Sequence, residues 1–258
     1  MQDSKDAGIV VSLMGAHVPS ETVQQNGCWA LVGLTLDDEN QRAVAAKGGI
    51  DAVVRAMGAH ASIAGVQEHG CGALCNLAAN AENKVVVAAR GGIDAVVMGM
   101  GKHVSSAGVQ ERGCGALGNL AANAENKMVV AARGGSDAVV RAMGVHASSA
   151  GVQEEGCFAL RNLTMNAEIQ RVVAAKGGIG AVLRAMGAHA SSAIVQEQGC
   201  RALCNIASSD PGLQAQVRSA GAVPLVRKAV SAFPGEADLQ KWGKALLEKL
   251  GSPIWAGA

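Results

Sequence analysis

From Ile93 to His103 the apolar residues stand at positions 93, 96, 97 and 100, the three-and-four spacing that lines one face of a helix. Lys102 and His103 close the segment, where the helix dipole favours cations. Upstream, Asn80-Ala-Glu-Asn opens a shorter apolar segment to Arg90, with Asn80 suited as N-cap and Gly91-Gly92 as the stop. Downstream of Ser105-Ser106 a longer segment runs to Ala122. Val109, Cys114, Ala116, Leu117 and Leu120 fall on one side of it and Glu111, Gly115 and Asn119 on the other, so it reads as an amphipathic helix. Strand-like alternation is missing throughout, and no proline lies between Ser20 and Asp210 to break a helix.

The pattern recurs. Cys28, Cys71, Cys114, Cys157 and Cys200 are spaced by 43 residues, as are the Val-Gln pairs that begin at Val23, Val66, Val109, Val152 and Val195. Residues 66–108 and 109–151 differ at only eight of 43 positions, so the chain is a tandem array of three-helix units. A unit this small cannot hide its apolar face alone, and stacking on neighbours is what supplies a continuous core. An all-α solenoid follows. Full units are expected at about 37–79, 80–122, 123–165, 166–208 and 209–250, in one array over 1–250 with a tail at 251–258. Met14, Gly15 and His17 sit one period before Met57, Gly58 and His60, so residues 1–36 form an incomplete unit beginning at a second helix. Its apolar flank, with Ile9, Val10 and Leu13, is expected to lack its usual cover, so that either the chain is a fragment or a partner docks there. The last unit carries Pro211, Pro224, Pro234 and a polar helix from Glu236 to Lys249, as a terminal cap should.

The third helix of one unit reads Val66-Gln-Glu-His-Gly-Cys-Gly-Ala-Leu-Cys-Asn-Leu-Ala, after Glu-Asn-Lys, an apolar run, Gly-Gly and Ile-Asp-Ala-Val-Val. These residues resemble the armadillo repeat of importin-alpha and beta-catenin, over about residues 5–250. HEAT repeats are the nearest alternative, but they usually use two helices per unit. The resemblance implies a right-handed α-solenoid whose third helices line a concave groove for extended protein segments.

On the third-helix wheel, Glu68, Gly72 and Asn76 lie opposite Val66, Leu74 and Leu77 and are expected to face solvent. Stacking turns them into two rows: Asn76, Asn119, Asn162 and Asn205, and Glu68, Glu111, Glu154 and Glu197. Neighbouring rungs about 10 Å apart match about three residues of an extended peptide. An amide bonds a peptide unit whatever its side chain, and a Glu row adds a preference for Lys or Arg. Importin-alpha-like repeats pair each groove Asn with a Trp four residues earlier. Here that position is Trp29, Gly72, Gly115, Phe158 and Arg201, and only Phe158 with Asn162 makes an aromatic–amide pair within one unit. Positions that vary between copies, namely His69, Arg112, Glu155 and Gln198, and Cys75, Gly118, Arg161 and Cys204, sit on or beside this face.

Composition narrows the function. The 22 Lys and Arg balance 21 Asp and Glu, and the chain has no Tyr, two Phe and three Trp, which argues against a nucleic-acid partner and base stacking. No apolar run approaches a bilayer-spanning length, and Asp3 and Asp6 stand where a secretory signal would be positive. Seven cysteines, sparse for a chain of this length and with successive repeats too far apart to pair, suit a reducing, cytoplasmic or nuclear setting. The series His17, His60, His103, His146 and His189 has rungs too far apart to share one metal, and reads as cap residues at second-helix ends. Gly113-Cys-Gly-Ala-Leu-Gly118 matches a dinucleotide motif by letter only, because it lies mid-helix. Catalysis needs an asymmetric constellation, whereas nearly every His, Cys, Asp and Glu here is a periodic copy, so no enzyme and no cofactor is expected. The expected function is a protein-interaction module that binds an extended, Lys- or Arg-containing segment. The alternative is a structural subunit packed within a larger assembly.

Overall fold

The computed structural model describes residues 2–208 and 210–252, with side chains from residue 6; residues 253–258 of the expected tail lie outside the described residues. Among the described residues there are seventeen helices and no strand. None of these helices is long and apolar enough to cross a membrane. The chain divides into two compact units, residues 1–138 and 139–258.

In the first unit, α1 (Gln2–Ala16) and α2 (Glu21–Leu34) precede two complete triplets. These are α3 (Asp38–Ala46), α4 (Gly49–Ala59) and α5 (Ala64–Leu77), then α6 (Ala81–Ala89), α7 (Gly92–Lys102) and α8 (Ala107–Leu120). After α9 (Ala124–Ala132), α10 (Gly135–Val145) carries the division between units. The second unit holds α11 (Ala150–Leu163), then α12 (Ala167–Ala175), α13 (Gly178–Ala188) and α14 (Ala193–Ile206), then α15 (Pro211–Ser219), α16 (Ala222–Ala232) and α17 (Ala237–Lys249). Asp37, Asn80, Asn123, Asn166 and Asp210 are all observed as N-caps of the first helices, and each side chain accepts backbone N–H bonds.

Third helices pack side by side, α2 on α5 on α8 in the first unit and α11 on α14 on α17 in the second. Leu31, Leu74, Leu77, Leu117 and Leu120 are fully buried beneath the first row, Leu160, Leu163 and Leu203 beneath the second. The glycine content has a packing cause. A Cβ added at Gly113 would stand 2.5 Å from Met100 Cγ, and the same seat is cut by Gly70 for Met57 and by Gly156 for Met143. Glycine in the helix interior costs about 1 kcal/mol against Ala, and here it admits a buried Met from the second helix. Gly91 turns the chain at φ 81°, and a Cβ at Gly92 would lie 2.4 Å from Val87 Cγ1, so the pair permits a tight first-to-second-helix corner.

Buried amides and imidazoles tie the repeats together. Gln110 Nε2 donates to the Met100 and His103 carbonyls, both at 2.9 Å, and so satisfies the exposed end of the second helix. Gln67, Gln153 and Gln196 do the same in their own repeats. His103 holds the C-cap position, as its place in the sequence implies, but its ring reaches back to the preceding repeat. Nε2 lies 2.9 Å from the Ala61 carbonyl oxygen, which can only accept, so that nitrogen carries the proton. His60 meets Val18 at 2.7 Å and His189 meets Ala147 at 2.8 Å in the same way.

Candidate peptide-binding face

The asparagines of the third helices do two jobs. Asn119 Nδ2 donates to the Cys75 carbonyl at 2.9 Å, Asn76 to Val32 at 3.2 Å, and Asn205 to Arg161 at 2.9 Å. Each acceptor lies in the last turn of the preceding third helix, where carbonyls lack intrahelical partners. A carbonyl partner fixes which end of the amide is nitrogen. The Oδ1 atoms of Asn76, Asn119 and Asn205 therefore point the other way, on half-buried side chains, with no bonded partner among the described residues. Asn76 and Asn205 each present an acceptor and one remaining N–H, whereas Asn119 Nδ2 also reaches Cys75 Sγ at 3.5 Å and presents the acceptor.

Asn162 differs. It is buried, and its Oδ1 accepts from Arg161 Nε and Nη2, both at 3.1 Å. The Arg161 guanidinium lies 4.8 Å from the Phe158 ring centroid and reaches Gln198 Oε1 through Nη1 at 2.8 Å. The aromatic–amide pair expected at Phe158 and Asn162 is thus brought together, and the chain's own cation fills it. Burial first, and then the Arg201 charge, hold the Arg161 guanidinium below its ordinary pKa; Glu197 opposes them.

The glutamates mark the edge of the same face. An added Cβ on Gly108 would fall 2.4 Å from Glu68 Oε2, so this carboxylate lies over the first turn of α8, where N–H groups and dipole favour it. Glu154 Oε1 accepts from the hydroxyl of Ser192, the N-cap of α14, at 2.9 Å. Glu197 Oε1 accepts from Arg201 Nη1 and Gln198 Nε2, both at 3.1 Å, and Glu111 is half-buried. Trp29 is 64% exposed on α2. In the next repeat, Gly72 occupies the corresponding place, and its Cβ would meet Val32 Cγ2 at 3.2 Å and the Arg112 stem at 3.6 Å. The first unit thus has a glycine floor, whereas in the second unit Arg201 stacks on Trp242 at 5.1 Å. Trp242 was not among the residues expected here, because α17 departs from the repeat pattern that exposed the others.

Cys28, Cys157 and Cys200 are buried away from this face, and burial pushes their thiols up to about 12. Among the described residues no cluster of three His, Cys, Asp or Glu is placed to hold a metal ion.

No protein-family description and no curated protein matches this chain. Solved structures do. An engineered protein superposes with a TM-score of 0.82 at 23% identity, covering 95% of this chain and 98% of its own. A designed armadillo repeat protein reaches 0.81 at 21% identity over 94% of this chain and 99% of its own. Another, solved in complex with the peptide (KR)4, reaches 0.77 at 20% identity over 94% of this chain and 98% of its own. With its helix triplets and no strand among the described residues, the chain is an all-α repeat protein of the solenoid class. Its fold is that of armadillo repeats.

Proposed function

We propose that this protein is a non-catalytic binding module that holds an extended peptide along the third-helix faces of its repeats. The observation that carries the reading is the open Oδ1 on Asn76, Asn119 and Asn205, held in place because Nδ2 of the same amide is bonded to the preceding helix. A peptide N–H bonds such an acceptor, and at Asn76 and Asn205 the remaining amide N–H bonds the peptide carbonyl, independent of ligand side chains. The peptide complex of one structurally similar designed protein supports the same use of this fold. A preference for Lys or Arg belongs to the first unit, where Glu68 and Glu111 border the face.

Fluorescence anisotropy with a short labelled peptide tests the reading. Replacing Asn76 and Asn119 together by Ala weakens binding by about 1–3 kcal/mol, the usual range for lost hydrogen bonds. An unchanged Kd in a folded double variant removes the role assigned to the amides.

A second reading, a structural subunit packed through its flanks, is favoured by Val85, Val86, Met128 and Val129, which stand 40–47% exposed on α6 and α9. Short peptides that compete a partner off support the groove; a partner that resists them and is lost on Val86→Glu supports the flank.

A further inference from the structure

We infer that the third-helix face of the second unit carries an acid-selective subsite, in which Arg161, flanked by Arg201, receives an Asp or Glu carboxylate of the bound peptide. This rests on the groove reading above and adds the ligand's charge in residues 139–258, opposite to the preference assigned to the first unit.

The argument begins with what surrounds Arg161. Its acceptors are Asn162 Oδ1 and Gln198 Oε1, both neutral amide oxygens, and no carboxylate among the described residues pairs with it. A half-buried guanidinium is ordinarily matched by an anion, because desolvating a charge is costly without one. The two charges that bear on Arg161 are Arg201 and Glu197. Glu197 is bonded to Arg201 at 3.1 Å, so one carboxylate stands against two cations. Glu154 is held by Ser192, at the start of the next third helix. The site is a positive charge short of its partner.

Geometry makes that charge usable. A guanidinium has five N–H donors; three bonds engage Nε, Nη1 and Nη2 once each, which leaves one N–H on each Nη. The ring of Phe158 beneath and the two amides beside it hold the plane in place. Little side-chain freedom is then lost when a carboxylate binds. The adjoining rung supplies the register. Asn205 Nδ2 donates to the carbonyl of Arg161 itself, so its open Oδ1 belongs to a residue already docked against Arg161. A peptide whose backbone N–H meets Asn205 passes beside the guanidinium, and its carboxylate there completes the pairing the fold leaves out. A Lys or Arg in that place meets two fixed guanidiniums, a like-charge contact that selects against basic segments.

The test uses the full chain and three labelled peptides of about nine residues, enough for roughly three rungs, in which Ser alternates with Glu, Gln or Lys. Anisotropy at low ionic strength is expected to rank Glu ahead of Gln by about tenfold, the size of one charge-assisted bond, with Lys weakest in variants that lack the first-unit acids, Glu68→Gln with Glu111→Gln. Arg161→Gln collapses the Glu-to-Gln ratio toward one, and Arg161→Lys, which keeps the charge but not the fork, retains part of it. Circular dichroism of each variant reports its folding, and the ratio in the unaltered chain stands even where a variant fails to fold. A Glu-to-Gln ratio near one in that chain, or one that survives Arg161→Gln, overturns the acid subsite while leaving the groove intact. Failure of all three peptides to bind removes the groove reading and this subsite with it.

Discussion

At the scale of single residues, the asparagine row shows why a surface amide is hard to interpret from spacing alone. Helical periodicity set Asn76, Asn119 and Asn205 opposite the apolar side of their helices, but it carries no information about a partner 44 residues away. The bond to the preceding helix means that Asn119→Ala lowers stability as well as affinity, by about 0.5–1.5 kcal/mol for one net hydrogen bond. Urea unfolding of that variant checks it. Phe158 set Asn162 apart from its sisters in sequence, but not the bonds that Arg161, one of the positions that vary between copies, makes to its Oδ1. The cysteine row makes a second prediction. Thiols pushed up to about 12 in the fold, from 9.0 when unfolded, keep their protons after the unfolded chain has lost its own. The native state then binds more protons than the unfolded one, so stability is complete below pH ~9 and falls as pH rises from there toward ~12. Each such thiol contributes a slope of as much as about 1.4 kcal/mol per pH unit. Melting temperatures across that window test it, and Cys28→Ala, Cys157→Ala and Cys200→Ala together flatten the curve.

At the scale of elements, the three-helix repeat and its N-caps were legible because capping residues, Gly-Gly stops and three-and-four spacing all agreed. Interior glycines were not legible, since propensity counts them only as a loss. Their partner, the Met of the preceding helix, becomes visible only when the two helices are packed. Gly113→Ala therefore destabilises the protein, although an alanine there would raise helix propensity. Gly144→Ala, in α10 with open space around its Cβ position, gains up to about 1 kcal/mol. Thermal denaturation of the pair distinguishes seat from spacer. One copy also carries a defect. Ser136 is 1% exposed with no partner for its hydroxyl, where the sister repeats bury Ile50, Ile93 and Ile179. Ser136→Ile is expected to stabilise by about 1–3 kcal/mol, from added apolar burial and removal of an unsatisfied polar atom. A rise of about 2–4 °C in Tm per kcal/mol is the corresponding signal.

At the scale of the whole molecule, the near-copies differ along the chain. The first unit retains a glycine floor with Glu68 and Glu111 at its border; the second gathers Arg161, Arg201, Phe158 and Trp242. The repeat pattern announced where these differences would fall, Trp242 on α17 excepted, but not which of them touch, because contacts such as Arg161 with Gln198 span 37 residues. The lateral bonds share one more property. His60, His103, His189, Asn76, Asn119 and Asn205 each bond from a later side chain to an earlier backbone carbonyl, at offsets of 42 or 44. A main-chain oxygen is present whatever residue bears it. Excising residues 66–108 would join Gly65 to Val109, the same dipeptide found at both ends of the excision, and would hand Asn119 the Val32 oxygen that Asn76 now uses. A whole repeat can therefore be gained or lost by unequal crossover while each of these side chains still meets a main-chain oxygen, whatever residues the remaining copies carry.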